Sequence, residues 1–115
     1  MRNLNVLYVE DDEITRMVLS RQLSAEYSNI FQAADGKEGL RIYKEILPDV
    51  VITDLTMPVM SGMEMIMHIL EIRPDQPIIV LTGCYDESQH FLDCVVISKP
   101  VVATDIFKTV ESLGI

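Results

Sequence analysis

Four apolar runs in this chain each end in residues that can do chemistry. Leu4 to Val9 stops at Glu10-Asp11-Asp12, and Val50-Val51-Ile52 leads into Asp54. Ile78 to Leu81 ends at Thr82-Gly83, and Val95-Val96-Ile97 ends at Ser98-Lys99-Pro100. If the runs are neighbouring parallel strands, Asp11, Asp12, Asp54, Thr82 and Lys99 converge on one edge of a sheet, where open α/β folds bind their ligands. Clustered carboxylates repel one another, so either one of them holds a proton or a cation joins them. Lys99 supplies one positive charge, and a hard divalent ion would supply the rest. An oxygen-only ligand set suits magnesium, which takes few carboxylates, keeps waters and often uses a phosphate oxygen. The chemistry implied is that of a divalent ion and a phosphoryl group.

The elements that must position these residues alternate along the chain. A helix is expected over about 13–25, with Asp12 as N-cap and the pairs Ile14/Val18 and Leu19/Leu23 at i,i+4 spacing. Asn29 to Ala34 reads as a strand, and Asp35-Gly36 as a turn before a second helix whose Leu40, Tyr43 and Leu47 share one face. Pro48 ends that helix. A loop from Leu55 to Ser61 precedes a third helix, Gly62 to Ile72, with Met63, Ile66, Met67 and Leu70 as its apolar face. A second stripe on it, Met65, Ile69 and Ile72, is a candidate contact surface. The last helix, about 103–113, places Ile106, Val110 and Leu113 together, with Phe107 beside them. Strand, helix, strand, helix in repetition implies an α/β fold with a parallel sheet covered on both faces.

The chain has 115 residues, 49% of them hydrophobic, which is enough for one domain with a real core. No apolar run is long enough to span a bilayer, and the start lacks the apolar stretch of a secretory signal. Its net charge of −9 opposes direct binding of nucleic acid. Cys84 and Cys94 fit no zinc pattern and read as reduced thiols, so a cytoplasmic location is expected. His68 and His90 have no neighbouring ligand or nucleophile pattern and read as surface or packing residues.

The set Glu10-Asp11-Asp12, Asp54-Leu55-Thr56-Met57-Pro58 with Gly62, Thr82-Gly83 and Lys99-Pro100 resembles the receiver domain of bacterial two-component response regulators, the CheY-like family. The resemblance covers essentially the whole chain, as one domain over 1–115. The spacings of 42 residues from Asp12 to Asp54 and 28 from Asp54 to Thr82 are similar to the family's. It implies a flavodoxin-like sheet of order 2-1-3-4-5, with Asp54 as phosphoacceptor. Magnesium or manganese would be held by Asp11, Asp12, Asp54 and the backbone carbonyl of Thr56. Thr82 would hydrogen-bond a phosphoryl oxygen, Lys99 would pair with the phosphoryl group, and the Lys99-Pro100 bond would be cis. The implied partners are a histidine kinase or phosphotransfer protein and a downstream protein target, with no nucleic acid and no membrane; a homodimer is left open. Such a chain assists its own phosphorylation and dephosphorylation and is not a separate enzyme.

Two features depart from that pattern. Only 17 positions separate Thr82 from Lys99, leaving about Asp86 to Asp93 for a helix, so a single turn or irregular loop is expected there. The aromatic that receivers usually carry three residues before the lysine is replaced by Val96, with Tyr85 and Phe91 out of register. A receiver-like interaction module that works without phosphorylation is therefore the alternative. A haloacid dehalogenase-type phosphatase would need an acid where Thr56 stands, and a flavodoxin-like electron carrier would need a phosphate-cradling loop where Glu10-Asp11-Asp12 stands.

Overall fold

The structure, a computed structural model, describes residues 2–55, 57, 59–83 and 94–115. Five strands, β1 (Arg2–Val9), β2 (Tyr27–Ala33), β3 (Val50–Asp54), β4 (Ile78–Thr82) and β5 (Val95–Ser98), form one sheet in the order β2-β1-β3-β4-β5. Every pairing is parallel. Four helices are described: α1 (Glu13–Leu23), α2 (Gly36–Ile46), α3 (Gly62–Ile72) and α4 (Ala103–Ser112). This is the expected flavodoxin-like order. The short crossover expected between Asp86 and Asp93 lies outside the described residues, as do Cys84, Tyr85, His90 and Phe91.

Strand alternation divides the core into two layers. Val6, Tyr8, Ile52, Ile79 and Leu81 face one side, where Leu19 and Leu23 of α1 and Ile106 and Val110 of α4 cover them. Leu7, Val9, Val51, Ile78 and Val80 face the other, under Tyr43 of α2 and Met65, Ile66 and Ile69 of α3. β3 and β4 are buried on both faces through their apolar residues, the pattern of central strands in a parallel sheet.

Local chemistry sets the helix starts. Asp12, Asp35 and Ser61 each accept a backbone N–H three residues on, from Thr15, Glu38 and Glu64. α2 stops at Leu47, which takes a left-handed conformation at φ 45° ahead of Pro48. Leu47 therefore leaves the face it was expected to share with Tyr43 and is exposed.

Two other helix faces differ from expectation. On α3 the buried residues are Met65, Ile66 and Ile69, while Met67 and Ile72 are exposed. Met65 and Ile69 are core rather than a contact surface. On α1 only the Leu19/Leu23 pair enters the core; Ile14 is 70% exposed, and Met17 and Val18 are exposed with it. The Ile14/Val18 pair lies on the surface, rotated away from the core stripe.

Candidate functional site

The carboxyl ends of β1, β3, β4 and β5 meet as the sequence spacing required. Asp54 is the last residue of β3, and its side chain is 14% exposed. Its Oδ1 accepts the Leu55 backbone N–H at 2.8 Å, and its Oδ2 lies 3.0 Å from Lys99 Nζ. Lys99 follows β5 directly, and its backbone N–H donates to the Thr82 carbonyl at 2.7 Å. That bond fixes the distance between the last residue of β4 and the lysine. Thr82 is itself buried and stands opposite Ser98 in the β4–β5 register. The Lys99-Pro100 peptide is cis, as expected.

The acidic cluster differs from expectation by one position. Oxygens of Glu10, Asp11 and Asp54 lie within 4.8 Å of one another, a grouping able to hold a metal ion. Asp12 is not in it. Its Oδ2 accepts both the backbone N–H and the hydroxyl of Thr15, which ties that oxygen to the first turn of α1. Those two bonds hold the Asp12 carboxyl below the usual carboxylate range. Glu10 takes the place beside Asp54. It is 3% exposed, its Oε2 accepts the Asp12 N–H at 3.2 Å, and its Oε1 lies 3.6 Å from Lys99 Nζ. The signal was present in β1, where Val6, Tyr8 and Glu10 share one parity and therefore one face. Arg16, on the inner side of α1, donates to the Glu10 carbonyl at 2.7 Å and ties the end of β1 to the helix. Thr56 lies outside the described residues.

The charges in this pocket are mutually dependent. Burial pushes the Glu10 carboxyl above its ordinary value; a hydrogen bond with Asp11 and the charge of Asp54 add to that, against the Asp12 N–H and Lys99, which pull it down. Burial alone would lower the Lys99 ammonium, but its hydrogen bond and ion pair with Asp54, and then Glu10, outweigh that and raise it. Lys99 is thus a permanent cation facing an acidic pair. The donors are hard oxygens, partly buried and partly open through the exposed Asp11, and such a set fits magnesium better than a soft or nitrogen-preferring metal.

Two glycines let the backbone close around the pocket. A β-carbon on Gly62 would overlap the Asp54 carbonyl oxygen, and one on Gly36 would overlap that of Met60. Gly62 N–H donates to the Leu55 carbonyl at 2.8 Å, and Gly36 N–H to that of Met60 at 3.0 Å. The connection from β3 to α3 is thereby pinned to Asp54 at one end and to the start of α2 at the other.

A doubly wound parallel sheet with this lysine–carboxylate pocket at its carboxyl edge defines a class of signalling domain. The response regulator receiver domain matches this chain over residues 6–111. The chemotaxis protein CheY of Thermotoga maritima is 41% identical over 79 residues, covering 68% of this chain and 66% of its own length. The transcriptional regulatory protein LiaR of Bacillus subtilis is 39% identical over 90 residues, 76% of this chain but only 43% of LiaR. Among solved structures, CheY4 of Vibrio cholerae covers 96% of this chain and 98% of its own, at a TM-score of 0.87 and 28% identity. CheY in the CheX-CheY-BeF3-Mg2+ complex of Borrelia burgdorferi covers 96% of this chain and 89% of its own, at a TM-score of 0.88 and 28% identity. The chain belongs to the response regulator receiver family of two-component systems. No helix among the described residues is long and apolar enough to cross a membrane.

Proposed function

We infer that this chain is a phosphoacceptor receiver that takes a phosphoryl group on Asp54, with magnesium bound beside it, and switches conformation to control a partner protein. The observation that carries this reading is the placement of Lys99 Nζ 3.0 Å from Asp54 Oδ2, with Glu10 and Asp11 oxygens grouped around the same carboxylate. A Borrelia burgdorferi relative of the same fold forms a complex with BeF3 and Mg2+, which supports the same chemistry here.

An Asp54 carboxylate oxygen attacks phosphorus; the new O–P bond forms as the bond from phosphorus to the donor breaks, and the donor leaves with its electron pair. The donor is a phosphohistidine of a kinase or phosphotransfer protein, or a small acyl phosphate. Anion must approach anion, so the work of the site is neutralisation and placement. Lys99 supplies a fixed cation on one side. Glu10, Asp11 and Asp54 would hold the ion on the other, with the carbonyl of Thr56 as a further ligand. When bound, the ion neutralises charge on the phosphoryl oxygens. The Thr82 hydroxyl, at the end of the adjacent strand, would donate to a phosphoryl oxygen. The added charge and acceptor oxygens then bias the loops around it toward a second arrangement. The chain acts as one receiver domain that assists its own transfer and hydrolysis.

Intact mass after incubation with magnesium and acetyl phosphate tests this. One added phosphoryl group on the native chain, absent from Asp54→Ala and absent after chelation, is the expected result. An unmodified native chain that also binds no magnesium would favour a module that works without phosphorylation.

A further inference from the structure

Beneath the acidic pocket lies a polar atom that the core does not need. Tyr8 is the penultimate residue of β1, opposite Ile52 of β3 and Gln32 of β2, and is wholly buried. Its ring packs in the layer formed with Leu19, Ile52, Leu81 and Ile106, and a phenylalanine would fill that layer equally well. Its hydroxyl, also buried, has no hydrogen-bond partner. Leaving such a group unpaired costs about 1–3 kcal/mol, so a tyrosine at this position is an expensive way to supply a ring.

The direction of the side chain gives the hydroxyl a role. Alternation along β1 puts Tyr8 and Glu10 on the same face. The β1–β3 register puts Ile52 beside Tyr8, so Asp54, two residues further on, shares that face as well. After burial, the charges that bear most on the hydroxyl are those of Glu10 and then Asp54, against Arg16. As a phenol the group carries a proton to donate. Glu10 has acceptor capacity to receive it. Its two oxygens offer about four acceptor positions, and the Asp12 N–H at 3.2 Å, Lys99 at 3.6 Å and the bond with Asp11 leave room for one more.

We propose that Tyr8 is a positioning residue for the metal site: its hydroxyl donates to the Glu10 carboxylate when that carboxylate turns onto the ion, and so holds Glu10 against it. This rests on the reading that Glu10, Asp11 and Asp54 are the ion's carboxylates. Partners behind a metal ligand typically change metal affinity by about 10–100-fold when removed. The other orphaned tyrosine hydroxyl, that of Tyr27, belongs to the opposite end of the sheet, where Tyr27 pairs with Arg2, away from Glu10, Asp11 and Asp54.

The test is Mn2+ affinity by electron paramagnetic resonance for the native chain, Tyr8→Phe, Glu10→Ala and the double variant, with the metal-free melting temperature of each. Tyr8→Phe should bind Mn2+ about 10-fold more weakly or worse, while melting at the native temperature or above it. In the Glu10→Ala background, Tyr8→Phe should have no further effect on affinity. Equal affinity of native chain and Tyr8→Phe overturns the proposal, and so does an undiminished effect in the Glu10→Ala background. A native chain that binds no Mn2+ overturns the reading of the site itself and this inference with it. A measurement on the native chain needs no variant: on adding Mg2+, the Tyr8 hydroxyl proton should become visible by NMR as its exchange slows, and its continued absence at saturating Mg2+ counts against the proposal.

Discussion

The backbone of Gly62 lies so close to the backbone of Asp54 that no side chain of any kind fits between them. A β-carbon at Gly62 would come within 2.9 Å of both the Asp54 carbonyl carbon and Leu55 Cα, and would overlap the Asp54 carbonyl oxygen. The obstacle is backbone, which cannot rotate away as a side chain could. Gly62→Ala is therefore expected to destabilise the domain by about 3 kcal/mol or more, the upper end of overpacking costs. Because the displaced atoms carry the phosphoacceptor, it should also slow phosphorylation of Asp54 by acetyl phosphate in whatever fraction remains folded. Urea unfolding followed by intact mass checks both parts; a Gly62→Ala variant of native stability would contradict the close approach.

Asp11 and Asp12 are adjacent in sequence but serve different structures. Asp12 caps α1 through Thr15, whereas Asp11 lies with Glu10 and Asp54. Asparagine keeps the capping oxygen and loses the charge. Asp11→Asn should weaken magnesium binding by about 10-fold or more, whereas Asp12→Asn should keep near-native affinity. Asp12→Ala should lower the melting temperature through loss of the cap, and Asp12→Asn should not. Magnesium affinity that falls equally in both asparagine variants would return Asp12 to the ligand set.

Val59 carries strain that its sequence neighbours do not reveal. It has φ 68° and is 77% exposed, so a β-branched residue holds a left-handed conformation with no buried contact to offset the cost. Left-handed backbone costs an ordinary residue about 1–2 kcal/mol, and asparagine adopts it more readily. Val59→Asn is expected to stabilise the domain by about 1 kcal/mol in urea unfolding, and a loss of stability would show that Val59 makes a contact worth more than the strain.

The sheet order and the convergence of Asp54, Thr82 and Lys99 were legible because each depends on a strong local signal: a short apolar β-branched run followed at once by a polar residue. The misread features have physical reasons. α3 carries apolar residues at seven of its positions, Met63, Met65, Ile66, Met67, Ile69, Leu70 and Ile72, so periodicity could not choose the buried stripe. Leu47 fits a helical repeat with Leu40 and Tyr43, but the turn before Pro48 unwinds the last residue and points it outward. Of the three consecutive acids at the end of β1, the resemblance put Asp11 and Asp12 toward the metal, whereas the structure groups Glu10 and Asp11 with Asp54. The turn of Asp12 Oδ2 toward Thr15 is a contact that only the fold shows. Tyr8 was hidden for the opposite reason, since a tyrosine inside an apolar run reads as core until its hydroxyl is seen to lack a partner.

Glu10 gives the domain a stability that falls as pH rises. Its carboxyl is raised in the folded state by burial, then by Asp11 and Asp54, so the folded chain holds a proton there more tightly than the unfolded chain does. By linkage, that contribution is fully present below the unfolded value and is lost as pH climbs through the folded one. At neutral pH the ionised, buried Glu10 is thus a cost to the metal-free fold, eased by Lys99 at 3.6 Å. Glu10→Gln keeps the shape and the acceptor for the Asp12 N–H but removes the charge. It should melt higher than the native chain at pH 7 without metal, and the difference should shrink as pH is lowered toward 4. Magnesium should reverse the ranking, because it stabilises only a chain that can hold it. Thermal melts at the two pH values, with and without magnesium, decide the matter: a Glu10→Gln chain that is less stable at pH 7 in the absence of metal would mean that the carboxylate is stabilised by its surroundings rather than strained by them.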